Sequence, residues 1–260
     1  MRIPIYQADA FATRLFGGNP AAVCPLDSWL TDEQMQSIAA ENNVAETAFF
    51  VRTGDRYQLR WFTPAVEVDL CGHATLASAF ILLTRITPDE SVVRFDTRSG
   101  ELTVTRDGEL YSMDFPSRPP QDCDEPAGLT AALGGTPQLI QKARDYFVVY
   151  GSEDEVRALR PNFAALSELD SFAVIVTAPG KQSDFISRFF APKQGIPEDP
   201  VTGSAHCTLI PYWAKRLGKS RLHAFQVSQR AGELWCEDNG PRVRISGHVV
   251  CYLEGSIILD

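Results

Sequence analysis

The sequence predicts an α+β protein in two similar halves, each with mainly antiparallel strands wrapped around one central helix. Three observations carry this reading. Short apolar segments alternate with Gly- and Pro-rich turns along most of the chain, as strands of small sheets do. Residues 74–83, Ala-Thr-Leu-Ala-Ser-Ala-Phe-Ile-Leu-Leu, are too long for a strand and lack a polar face, so they form a helix enclosed on all sides. Finally, an aromatic pair, a proline and a Gly-polar-Ala helix start occur twice in the same order. Trp61-Phe62-Thr63-Pro64 precedes Gly72-His73-Ala74, and Phe189-Phe190-Ala191-Pro192 precedes Gly203-Ser204-Ala205, the pattern of an internal duplication.

The elements follow in order. A strand at 3–10 leads into the turn Leu15-Phe16-Gly17-Gly18-Asn19-Pro20 and a second strand at 21–24. Thr31-Asp32-Glu33-Gln34 is a capping box, with Leu30 stapled to Met35, and it opens a helix whose buried face carries Met35, Ile38 and Ala39 before it ends near Asn42-Asn43. Residues 44–51 and 57–62 make a hairpin across Thr53-Gly54-Asp55, and 92–97, 101–106 and 109–115 make a meander. The Pro-rich stretch from Ser117 to Pro126 marks a boundary between a first domain, 1–117, and a second, 118–260, with a last strand at about 249–260 packing back on the first. The second half reads as strands at 146–150, 172–178 and 185–190, a helix from about Gly203 to Leu217 closed by Gly218, and strands at 224–229, 232–236, 242–245 and 249–258.

Composition narrows the function. The chain has 260 residues, 44% hydrophobic and 22% charged, with a formal net charge of -9. That balance supports a core and opposes a nucleic-acid partner, which needs a basic stripe. Nothing approaches the roughly 20 apolar residues of a membrane span. Asp9 interrupts the N-terminus before a signal-peptide apolar region forms, so the expected location is the cytoplasm. The 6 cysteines are scattered and are expected to be reduced. No CxxC, HxH or HExxH spacing points to a metal, and no metal or organic cofactor is expected.

Duplicated halves present two helix starts whose N–H groups and dipoles suit a carboxylate or a developing enolate. Gly72 and Gly203 let a ligand approach the backbone closely, and if the halves face each other the two starts form one cradle. Glu46, where a helix gives way to an apolar strand, is the candidate acid or base, with burial expected to raise its pKa; the competing reading is a solvated carboxylate on the strand's outer face. His73 positions substrate or is simply a packed histidine. Asp199, Thr202 and Asp69 read equally well as helix caps. Cys71 is expected to gain thiolate character from the helix start beside it.

These residues resemble the PhzF-like phenazine-biosynthesis proteins, relatives of diaminopimelate epimerase and proline racemase. The likeness runs through Asp9-Ala10-Phe11, Phe16-Gly17-Gly18-Asn19-Pro20, Asn43-Val44-Ala45-Glu46-Thr47-Ala48-Phe49, Cys71-Gly72-His73-Ala74-Thr75 and Asp199-Pro200-Val201-Thr202-Gly203-Ser204. It implies a diaminopimelate epimerase-like fold of two strongly curved sheets, a homodimer, and a cofactor-free isomerase whose proton carrier is Glu46. It implies too that Gly72, His73, Asp199, Gly203 and Ser204 line the substrate site. Racemases of this kind use a cysteine at each helix start; here the pair is Cys71 and Thr202, which favours a single carboxylate. The resulting expectation is an isomerase or epimerase of a small carboxylate, with a Cys71-based two-base racemase and a non-catalytic small-molecule binder as alternatives.

Overall fold

The computed structural model describes residues 1–259. It divides into two compact units: residues 1–114 with 246–260, and residues 115–245.

The first unit contains β1 (Arg2–Ala10), β2 (Asn19–Leu26), α1 (Asp32–Asn42), β3 (Glu46–Thr53), β4 (Arg56–Phe62), β5 (Glu67–Val68), α2 (Gly72–Ile81), β6 (Val92–Thr97), β7 (Gly100–Asp107) and β8 (Leu110–Pro116), which runs into the second unit. The second holds β9 (Gln121–Asp122), α3 (Leu129–Leu133), β10 (Leu139–Lys142), β11 (Tyr146–Val149), α4 (Glu153–Ala158), α5 (Phe163–Ser167), β12 (Val174–Pro179), β13 (Phe185–Phe190), α6 (Gly203–Leu217), β14 (Arg221–Gln226), β15 (Gly232–Asp238) and most of β16 (Arg242–Gly247). The final strand, β17 (Val249–Ile258), belongs to the first unit.

In that first unit β17 pairs antiparallel with β1 along its length, from Arg2↔Ile258 to Ala10↔Val249. β1 pairs antiparallel with β2, β2 runs parallel to β3, and β3 and β4 close the hairpin across Gly54. β4 then continues in parallel to β6, which starts the meander through β7 to β8. Helix α2 packs against β1, β2, β3, β7 and β17, so strands surround it. His73 through Ala79, and Ile81, are buried. Its two buried hydroxyls are satisfied within the helix, since Thr75 Oγ1 donates to the Cys71 carbonyl at 2.6 Å and Ser78 Oγ to the Ala74 carbonyl at 2.7 Å. The helix ends earlier than the sequence predicts: after Ile81 the chain widens into a π-turn, Leu82–Ile86, where the Thr87 N–H donates to the Leu82 carbonyl.

α1 keeps both capping-box bonds, buries Met35, Ile38 and Ala39, and stops at Asn43, whose φ of 48° is left-handed. Phe49 and Phe62 pack beneath it at a ring separation of 5.6 Å.

In the second unit β9, β10 and β11 are antiparallel neighbours, β11 and β12 run parallel, β12 and β13 antiparallel, β13 and β14 parallel, and β14 and β15 antiparallel. α6 packs against β14 and β15. Its Trp213 stacks on Phe185 of β13 at 5.7 Å and donates Nε1–H to Thr177 Oγ1 at 3.0 Å. α3, α4 and α5 bury Leu129, Val156 and Leu166 in a second cluster with Val174, Val176 and Ile186 of the sheet. The sequence reading passes over these helices. β14 also begins and ends three residues earlier than the sequence predicts. Leu222, Ala224 and Gln226 alternate inward, and the buried Gln226 has a structural reason to face in, described below.

All 6 cysteines are free thiols. Among the described residues no helix is long and apolar enough to cross a membrane.

Candidate active site

Three groups named from the sequence converge at one end of the first unit's central helix. Glu46 is the first residue of β3, and its neighbour Ala21 lies across the parallel pairing with β2. Two residues earlier on β2, Asn19 starts the strand. Pro20 restricts Asn19 to extended backbone. Gly18, at φ 61°, brings the chain so close to β1 that a Cβ there would lie 2.1 Å from the Ala10 carbonyl oxygen. Cys71 is the N-cap of α2 and His73 stands in its first turn.

His73 Nε2 lies 3.0 Å from Glu46 Oε2, and its Nδ1 lies 3.2 Å from Asn19 Nδ2 and 3.5 Å from Cys71 Sγ. Cys71 and His73 are buried, and the Glu46 side chain is only 12% exposed. The Asn19 amide can turn either Nδ2–H or Oδ1 toward Nδ1, so it can serve a neutral or a protonated ring.

The electrostatics reverse two expectations. Burial does push the Glu46 carboxyl up, but the charge and hydrogen bond of His73, with a further bond from Cys71, outweigh it and hold Glu46 below its ordinary value. Burial depresses His73, yet Cys71 and Glu46 outweigh that and hold the imidazole well above its ordinary value. Each shift thus favours the charged form of its group, a carboxylate facing an imidazolium. Cys71 is not made a thiolate by the helix start: burial, then the neighbouring Glu46 charge, push its thiol up to about 11.

The second unit gathers the other group. The N-cap of α6 is Thr202, whose side chain makes no capping bond, so the reading of Thr202 or Asp199 as a cap gives way. Thr202 Oγ1 instead donates to Asp199 Oδ2 in a short bond. Gln226 holds this loop: its Oε1 accepts the Thr202 N–H at 2.9 Å and its Nε2 donates to the Asp199 carbonyl at 2.8 Å. Asp69 likewise lies outside the cap of α2, which is Cys71. The first N–H groups of both helices have no intrahelical acceptor, and neither N-cap side chain takes one. Gly203 is buried, and Ser204 Oγ accepts from Arg144 Nη2 at 3.4 Å. Arg144 is itself forked onto the buried Asp145 and stacked over Phe172 at 4.3 Å. His206, fully buried, approaches the Thr202 carbonyl through Nδ1 at 2.8 Å, and burial lowers it to about 4, a neutral ring.

Asn19, Arg144 and Gln226 were not singled out from the sequence. Asn19 had a signal, its place in the Gly-Gly-Asn-Pro turn that starts β2. Arg144 and Gln226 had none, because each acts across about 24 to 60 positions of chain.

The family model for phenazine biosynthesis-like proteins matches residues 8–255. The chain belongs to the PhzC-PhzF family. A Pseudomonas aeruginosa protein named an uncharacterized isomerase is 53% identical over 259 residues, covering all of both chains. A solved PhzF-family structure from Enterococcus faecalis is 48% identical, covers all of both chains and superposes with a TM-score of 0.98. A solved protein described as a probable proline racemase, from Agrobacterium radiobacter, is 12% identical, covering 99% of this chain and 93% of its own at a TM-score of 0.62, a likeness of fold alone. The α+β fold is thus the epimerase-type fold that the resemblance implies.

Proposed function

We propose that this PhzF-family chain is a cofactor-independent isomerase or epimerase that moves a proton on a small carboxylate, with Glu46 as the proton carrier. The observation supporting it most is the Glu46–His73 pair, 3.0 Å apart with His73 buried and the Glu46 side chain 12% exposed, beside an uncapped helix start. At neutral pH the pair offers a carboxylate without a proton, so Glu46 begins as base. One Glu46 oxygen takes a proton from an activated carbon, and the C–H electrons pass into the conjugated carboxylate as an enolate. Glu46 then returns the proton to another carbon, or to the opposite face, and atoms and charge balance with no co-reactant. His73 keeps Glu46 ionised until the proton arrives, and the N–H groups at Gly72 and its neighbours hold developing negative charge.

The Gly203-Ser204 start of α6, with Asp199 bracing Thr202, is proposed to bind a substrate carboxylate. The working form is proposed to be a cytoplasmic homodimer, checked by sedimentation. The alternative of a two-base racemase through Cys71 is disfavoured by a thiol held at about 11.

The test is a library of small carboxylates incubated with the protein in deuterated water and scored by mass gain. Exchange into one carboxylate, lost in Glu46→Gln, supports the reading. Full exchange in a folded Glu46→Gln protein overturns it. A bound carboxylate should also raise the melting temperature, since it binds only the native state, and Ser204→Ala should diminish the shift.

A further inference from the structure

We infer that Glu46, Cys71 and His73 form a binding site for a thiophilic divalent cation of the zinc type, occupied at the expense of proton transfer. Linear spacing hides it: Cys71 and His73 are two positions apart and Glu46 is far upstream, so no familiar ligand motif appears. The fold nevertheless brings one ligating atom from each within 4.8 Å of the others.

The distances suit the ion. With Zn–S of about 2.3 Å and Zn–N or Zn–O of about 2.0–2.2 Å, neighbouring donors of a tetrahedral site sit roughly 3.3–3.6 Å apart. Nε2 of His73 is the atom common to both partners, 3.0 Å from Glu46 Oε2 and 3.9 Å from Cys71 Sγ, values that bracket the required edge. The third edge, Glu46 to Cys71, is within 4.8 Å, so binding has to draw these side chains together around the ion. The other ring nitrogen then needs an acceptor to fix the tautomer; Asn19 Nδ2 stands 3.2 Å from it, so the amide serves by turning Oδ1 to that side. Three protein ligands leave the fourth position open to water or a carboxylate.

The donor set also selects the ion. Sulfur and imidazole favour zinc and cobalt over magnesium and calcium, which seek oxygen cages. On binding, metal–sulfur and metal–nitrogen bonds form, and the Cys71 S–H and His73 Nε2–H protons leave to solvent. Glu46 gives Oε2 to the metal, and the cation's charge lowers the basicity of its remaining oxygen, so proton abstraction from substrate is suppressed. Metal binding itself is independent of the proposed reaction; only its inhibitory effect rests on that reading.

The experiment is a titration of chelator-treated protein with Co2+, whose bond to a thiolate gives a charge-transfer absorption band. One equivalent should produce the band, and Zn2+ should bleach it. Cys71→Ser and Cys71→Ala, checked for unchanged melting, should lose the band and lose affinity by more than the about 10–100-fold typical of an outer-shell partner. Cys251→Ser should keep both. A band surviving in either Cys71 variant, no band in folded wild type, or displacement of Co2+ by Mg2+ as readily as by Zn2+ would each overturn the site. Where a substrate is in hand, Zn2+ should stop deuterium exchange over the range in which it bleaches the band. A bleached band with exchange undiminished overturns the inhibition and leaves the spectroscopic site standing. Exchange that persists in Glu46→Gln refutes the Glu46 assignment by a separate readout.

Discussion

Glu46 opens a strand and His73 opens a helix 27 residues later, and the fold sets the two side chains 3.0 Å apart away from water. Each partner keeps the other charged. Removing His73 while leaving the site buried lets desolvation act alone on Glu46. His73→Gln should therefore move the acid limb of kcat/KM to higher pH, because Glu46 protonates more readily without the imidazolium. An acid limb that stays put would show that His73 does not set the carboxylate.

The same pair predicts a stability window. Glu46, held below its ordinary 4.5, contributes stability that is whole above that pH and fades as pH falls through its lowered value. His73, held above its ordinary 6.5, contributes stability that is whole below that pH and fades as pH rises through its raised value. The melting-temperature gap between wild type and His73→Gln should be widest between about pH 4.5 and 6.5 and narrow on the alkaline side. A gap unchanged into alkaline buffer would count against a raised His73.

Replacing Glu46 with glutamine keeps shape but removes the exchangeable proton. Folding should survive, and deuterium exchange should fall by at least about 100-fold, the scale of general acid–base catalysis.

Thiol labelling separates burial from helix-start activation. Cys71, buried and pushed up to about 11, should react with iodoacetamide more slowly than the partly exposed Cys123 and Cys251. Mass spectrometry of peptides at early times decides it. Fast labelling at Cys71 would restore the thiolate reading.

In the second unit, Trp213 carries the stacking on Phe185 and the bond to Thr177. Trp213→Ala should cost about 3–5 kcal/mol, the usual range for deleting a large buried ring, and this is measured by urea unfolding.

How far the sequence reaches is visible in particular residues. α1 was legible because Thr31, Gln34 and the Met35-Ile38-Ala39 face are local signals. The span of α6 was legible too, since Gly218 ends it at φ 68°, where a glycine is comfortable. The five- and six-residue helices α3, α4 and α5 were not, because one turn and a half carries no period to detect. The apolar strand around Glu46 left its burial open against a solvated outer face, and it did not give the sign of its pKa shift. That sign depends on His73, and no local pattern pairs them. The role of Gln226 was not legible either, because the loop it holds, at Asp199 and Thr202, lies more than twenty positions away in the chain.

The pairing of β17 with β1 joins the last strand of the chain to the first. A ribosome making this protein therefore withholds the final piece of the first unit until residues 115–245, which are contiguous, have all been made. The middle of the chain can mature while its beginning waits, inverting the usual order of assembly during translation. Nascent chains halted with about 245 residues exposed should show protease protection in 115–245 while the segments of β1 and β2 are still cut. Protection of β1 at that length would mean the sheet closes without its last strand.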